Sequence, residues 1–185
     1  MLIAIKDKDR IVAGLTMANM YVETTENDIL LDDNIPFFKV RGNKNCYVLI
    51  SSACFAADLL RYNDFIFKDV TDGESVIKGV VPKMRALLEE YDQILDDKSW
   101  ESNLVIIKDD KAYSVNVYFV VEEISDYCAF LDQRYIDGTM FDTQGLDPVE
   151  RILTAVKTVS KTKFSQYFPL IVFDSKTKKK QIFHQ

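Results

Sequence analysis

The side chains able to do chemistry in this chain are few and scattered. His184 is the only histidine of 185 residues and stands one position from the end, so a triad built on a central imidazole is not expected. Cys46, Cys54 and Cys128 form neither a CxxC pair nor a Cys/His cluster. Zinc would therefore lack a ligand set, a disulfide framework would lack partners, and the three read as buried thiols of a reducing cytoplasm. Thr158-Val159-Ser160-Lys161 reads as helix surface without the strained turn of a nucleophile elbow. Asp92, Asp96 and Asp97 lack the alternating ligands of a calcium loop, and no GxxxxGK phosphate loop occurs. No metal and no cofactor are expected. Thr16, Lys39 and the pair Asp32-Asp33 carry a hydroxyl, a cation and two carboxylates. Singly they read as a strand-end hydroxyl, an exposed strand lysine and a charged turn.

Composition narrows the classes further. A 48% hydrophobic, 28% charged chain of this length suits one domain, 1–185, around one globular core. The formal net charge of -6 repels phosphates, so nucleic acid is not an expected partner. The one basic run, Lys176 and Lys178 to Lys180, reads as a solvated turn between strands. The apolar opening Met1 to Ile5 meets Lys6 and Asp7 too early for a signal peptide, and no window reaches the ~20 apolar residues of a membrane span. A cytoplasmic protein is expected, with no membrane partner.

The elements that would position such groups follow from periodicity. Leu2 to Lys6 and Arg10 to Met17 read as strands joined across Asp7-Lys8-Asp9. Tyr21 to Glu23 and Ile29 to Leu31 are further short strand candidates. Phe37 to Arg41 and Cys46 to Ser51 read as a hairpin across Gly42-Asn43-Lys44-Asn45, whose Gly and Asn tolerate positive φ. The period then turns helical from about Ser52 to Tyr62. A second helix opens at Asp72-Gly73-Glu74-Ser75, with an apolar stripe of Val76, Val80, Val81, Met84, Leu87, Leu88 and Tyr91, which Pro82 should kink or split. Strands are expected at Asn103 to Lys108, Ala112 to Val121, Glu122 to Asp126 and Tyr127 to Leu131. Asp147-Pro148-Val149-Glu150 starts a helix carrying Ile152, Leu153, Val156 and Val159. Pro169 to Asp174 and Gln181 to Phe183 close the chain as a hairpin. Clustered strands and clustered helices predict an α+β protein, with two antiparallel sheets stacked face to face and helices outside.

This order and its local residues resemble the proteasome β-subunit family, with the N-terminal-nucleophile hydrolase fold. Leu2-Ile3-Ala4-Ile5 followed by Arg10-Ile11-Val12-Ala13-Gly14 looks like that family's opening hairpin. Asn34-Ile35-Pro36-Phe37-Phe38-Lys39-Val40 looks like its third strand, and Val48-Leu49-Ile50-Ser51-Ser52-Ala53 with Ala56-Ala57-Asp58 like the strand entering its first helix. Ser102 to Ile107 sits where the family's second half begins. The resemblance implies a four-layer αββα sandwich and a homo-oligomer of undecided order, with any further protein partner unidentified.

The departures from the family bear on activity. The resemblance implies a Thr, Ser or Cys at the mature N-terminus, whose free α-amine serves as base. Here the strand starts at Met1 or one position earlier, and a thioether carries no proton to remove. Trimming Met1 would expose Leu2, and the sequence as it stands has no upstream propeptide to cleave. The family's acidic residue at the end of the second strand is replaced by Leu15 or Thr16. Its lysine position is matched best by Phe37, with Lys39 two residues on and on the same face. Ser51-Ser52-Ala53 stands without glycine where a glycine-rich turn helps bind the oxyanion, and before the last helix, where the resemblance implies two helices, Gly138 to Gly145 is too short for a full first one. A non-catalytic structural or binding subunit is the expected reading. The alternative is a hydrolase of the same fold with a relocated site drawn from Thr16, Asp32, Asp33 and Lys39.

Overall fold

The computed structural model describes residues 1–16, 37–51, 55–92, 94, 100, 102–131, 134–135, 145–163 and 170–183. The candidate strands near 21–23 and 29–31, the pair Asp32-Asp33, Cys54 and His184 lie outside the described residues.

Two antiparallel sheets form the centre. The first runs β11(Lys179–Phe183), β10(Leu170–Asp174), β2(Arg10–Thr16), β1(Leu2–Asp7), β8(Tyr127–Leu131), β9(Arg134–Tyr135). The second runs β3(Phe37–Lys39), β4(Cys46–Ile50), β5(Leu104–Lys108), β6(Lys111–Val115), β7(Val121–Glu123). Period-2 alternation sorts the side chains of the first sheet into two cores. Leu2, Ala4, Ile11, Ala13 and Leu15 meet Tyr47, Leu49, Val105 and Ile107 of the second sheet. Met1, Ile3, Ile5 and Val12 point the other way, onto Ile152, Ala155 and Val156 of α4(Pro148–Lys163). Because both faces are buried, β1 and β2 read as continuous apolar runs. Each large aliphatic side chain so enclosed contributes about 1.5–3 kcal/mol.

The outer face of the second sheet is covered by α1(Phe55–Tyr62), a 3₁₀ turn Asp64–Phe67, and one long helical stretch. That stretch comprises α2(Gly73–Ser75), a π-helical turn Val76–Val80, and α3(Val81–Glu90). The capping signal at Asp72 is real: its carboxylate accepts the Ser75 N–H at 2.8 Å, and Ser75 Oγ accepts the Asp72 N–H at 3.1 Å. Pro82 splits the helix as expected. It sits in the first turn of α3, directly after the wide turn that loosens the ladder its missing N–H would interrupt. Helices α1 and α3 on one side, two sheets, and α4 on the other give the αββα sandwich.

Three expectations need correction. Ala112 to Val121 is not one strand. Asn116 Oδ1 accepts the N–H groups of Tyr118 and Val120, and Phe119 takes φ +64, so the chain turns between β6 and β7. Tyr91 does not belong to the buried stripe and is 46% exposed. Helix α3 ends at Glu90, and Asp92 takes φ +52, so the helical period no longer aims residue 91 at the core. The segment after Leu131, to which periodicity assigned no strand, contributes β9, paired to β8 through Phe130↔Tyr135.

Candidate functional site

The residue preceding β1 and the last residue of β2 face each other because the hairpin turn is two residues long. Asp7 pairs with Arg10 across Lys8-Asp9, Lys8 takes φ +57, and the register runs without a bulge to Leu2↔Leu15. Met1 is thereby brought opposite Thr16. The Met1 amine donates to Thr16 Oγ1 at 2.8 Å, the Thr16 N–H donates to the Met1 carbonyl at 2.9 Å, and the hydroxyl lies 3.4 Å from that carbonyl. Both residues are enclosed, at 4% and 3% exposure. An amine and a hydroxyl at this distance are a base and a nucleophile in form, and both are buried.

Side-chain parity decides what else can join them. Met1 shares the α4 side of the first sheet with Ile3 and Ile5, and Thr16 alternates with Leu15, which faces the second sheet. Phe37 packs into the core between the sheets. Its ring lies against Tyr47 at 6.1 Å and Phe173 at 5.0 Å between centroids, and Tyr47 and Phe173 lie 4.4 Å apart. Phe173 pairs with Ala13, whereas Thr16 pairs with Leu170. The aromatic stack is thus three residues, roughly 10 Å, along the strands from Thr16. Lys39 shares the face of Phe37 and is exposed. The first sheet therefore stands between Thr16 and the Phe37–Lys39 face. The structure brings Thr16 to the amine and does not bring Lys39 to Thr16.

Other reactive groups among the described residues are buried or held in ion pairs. Burial pushes the Cys46 and Cys128 thiols up to about 12, so neither supplies thiolate near neutrality. Arg10 is the charged hub of the molecule. Its Nη1 meets Asp147 at 2.6 Å, and its Nη2 and Nε meet Asp174 at 3.0 and 3.2 Å. Burial alone would raise both carboxyls. The Arg10 hydrogen bonds, with backbone N–H groups of Val149 for Asp147 and of Lys176 and Thr177 for Asp174, outweigh it and hold both below the ordinary range. This cluster ties the first hairpin to the start of α4 and to the last hairpin. Sequence reading passed over it because its members are more than a hundred residues apart, except for Asp147 and Asp174. It likewise missed the Met1–Thr16 pair, although a two-residue turn at Lys8-Asp9 was signal enough to set that register. Among the described residues no group of three His, Cys, Asp or Glu side chains is placed to hold a metal ion, and no helix is long and apolar enough to cross a membrane.

Solved structures share this architecture. The BPH protein of Thiobacillus denitrificans, in complex with epoxomicin, superposes with a TM-score of 0.67 at 15% identity, over 94% of this chain and 96% of that one. Anbu, an ancestral beta-subunit from Yersinia bercovieri, gives 0.63 at 10% identity over 100% and 87%. Eukaryotic HslV from Trypanosoma brucei gives 0.53 at 11% identity over 94% and 97%. No protein-family model matches the chain, and no curated protein matches it by sequence. At these identities the likeness establishes the fold, which is proteasome-like, of the N-terminal-nucleophile hydrolase type.

Proposed function

We propose that this chain is a non-catalytic proteasome-like protein, a structural or binding subunit of a homo-oligomer in the cytoplasm. The observation that carries the reading is the chemistry at the head of β1. Met1, Leu2 and Ile3 offer no proton-bearing nucleophile whichever of them a processed chain exposes, and the Met1 amine is engaged by Thr16. A covalent route through the head of β1 needs an attacking hydroxyl or thiol, and none of these three side chains supplies one. The exposed rings of Tyr62, Phe65 and Tyr118 supply apolar surface for contact between copies. Light scattering at tens of micromolar tests the assembly, and a monomer there refutes it.

The catalytic question is tested by intact mass after exposure to epoxomicin, the compound bound by the Thiobacillus denitrificans neighbour, together with mass spectrometry of the mature N-terminus. The expected result is unmodified protein. A stoichiometric adduct overturns the reading. One observation favours a relocated hydrolase instead: the 2.8 Å contact between the Met1 amine and the Thr16 hydroxyl. Peptide mapping distinguishes the two, because an adduct at Thr16 belongs to the relocated site alone.

A further inference from the structure

The last turn of α3 carries charge that the helix itself disfavours. Glu89 and Glu90 are exposed there, no basic residue stands in that turn, and Asp92 follows. Unpaired carbonyls give a helix C-terminus a partial negative charge, so a cation supplied from outside the helix is favoured at this end. The cations of the stretch stand earlier. Lys78 is taken by Glu74, and the Arg85 guanidinium lies over the Phe119 ring, 4.4 Å from its centroid. Lys83 is exposed, and its Nζ reaches Asp69 Oδ2 only at 4.0 Å, between two well-exposed side chains, where an ion pair contributes little.

Helical spacing aligns this lysine with the second glutamate. Lys83, Ala86 and Glu90 stand at i, i+3 and i+7, on one stripe of α3, with the first and last about 20° apart in direction and roughly 10 Å apart along the axis. At that separation Lys83 and Glu90 of one chain do not pair. A second copy changes this. When two α3 helices lie antiparallel about a two-fold axis beside Ala86, Lys83 of each copy stands opposite Glu90 of the other, so one contact matches both charges twice. Ala86 is exposed and small, which lets the helix axes approach to about 8–10 Å. Exposed Pro82 then faces Glu89 of the other copy, and the two macrodipoles oppose each other.

We propose that the exposed face of α3 is a docking surface for a second copy of this chain, with Lys83 of each copy on Glu90 of the other and Ala86 beside the two-fold axis. The stripe is complementary to itself in charge, which favours a second copy over an unrelated protein. The inference rests on the homo-oligomer reading and deepens it by naming a face through which copies meet. It stands whether the chain is a bare subunit or a hydrolase, since the face shares no residue with the Met1–Thr16 pair.

Analytical ultracentrifugation of the full chain at tens of micromolar tests it. Wild type is expected to associate, less strongly as salt is added. Lys83→Glu and Glu90→Lys, each alone, set like charges opposite each other twice and should raise the dissociation constant about tenfold or more. An equimolar mixture of the two variants should recover association, because every facing pair is then of opposite sign, and so should the double variant carrying both reversals. Lys111→Glu, at an exposed position of β6, should associate as wild type does. Circular dichroism confirms that each variant is folded, and Ala86→Trp, which wedges the centre of the face, carries the test if a reversal is not. A monomeric wild type overturns this inference together with the homo-oligomer reading. Association that neither the reversals nor Ala86→Trp weaken overturns the inference alone. A loss that neither the mixture nor the double variant recovers overturns it too, because that marks a different surface on the partner, as does an equal loss in Lys111→Glu.

Discussion

The Met1 amine donates a 2.8 Å hydrogen bond to the buried hydroxyl of Thr16. In this geometry the threonine seats the start of β1, and its removal takes this hydrogen bond from a buried ammonium donor. Thr16→Val, nearly equal in shape, should destabilise the protein by about 1–3 kcal/mol. Thr16→Ser, which keeps the hydroxyl, should lose much less. Urea denaturation followed by tryptophan fluorescence reads both, and equal stability of the valine variant would contradict the assigned role.

Arg10 bridges Asp147 and Asp174. Arg10→Met should cost about 2 kcal/mol near pH 7, since it leaves two neighbouring carboxylates without their cation. Both carboxyls are held below their ordinary range. Their contribution is therefore complete above the unfolded value near about 3.9 and is lost as pH falls through the lower folded values. Melting temperatures of wild type and Arg10→Met should differ most above about pH 5 and converge toward pH 3. A gap that stays constant across that range would rule out the charge pairing as its source.

Gly14 lets α4 lie close on the first sheet. A Cβ at this position would stand 2.6 Å from Ile152 Cγ2, a side chain that is itself fully buried. Gly14→Ala should destabilise by about 1–3 kcal/mol through overpacking. Adding Ile152→Ala removes the clashing methyl, so the double variant should be more stable than the sum of the single losses implies. Strict additivity in that cycle would show that the two residues do not meet.

Cys46 and Cys128 are buried, with thiols pushed up to about 12. Neither should react with iodoacetamide at pH 8 in the folded protein, and both should react in concentrated guanidinium. Peptide mapping after brief labelling reads each site separately. Rapid native labelling of either would place it outside the core assigned to it.

The local signals in the sequence were enough for most of the fold. Gly42 and Asn45 take the positive φ that their hairpin demanded, at +79 and +58. Asp72 caps its helix through Ser75, and Asp147 caps α4 through the Val149 N–H at 2.9 Å. The continuous apolar runs Leu2 to Ile5 and Ile11 to Leu15 fit a sheet buried on both faces, and with the helical stripes they fit stacked sheets with helices outside. These features depend on contacts within a few residues, which is why they could be read one segment at a time.

What the tertiary structure alone decided is which side chains meet. Thr16 and Lys39 were candidates of the relocated-site alternative, but nothing local told that the first sheet would stand between Thr16 and the face that Lys39 shares with Phe37. Phe37, a packing residue by type, finds Phe173 across a separation that no periodicity reports. Lys39, Arg41, Arg61 and Lys180 line one cleft of an acidic chain because strands β3 and β11 and the end of α1 come together there. Arg10 finds Asp147 and Asp174 for the same reason. Each of these contacts is fixed by how the layers stack, and stacking is set by the sum of many buried side chains and not by the residues that it brings into contact.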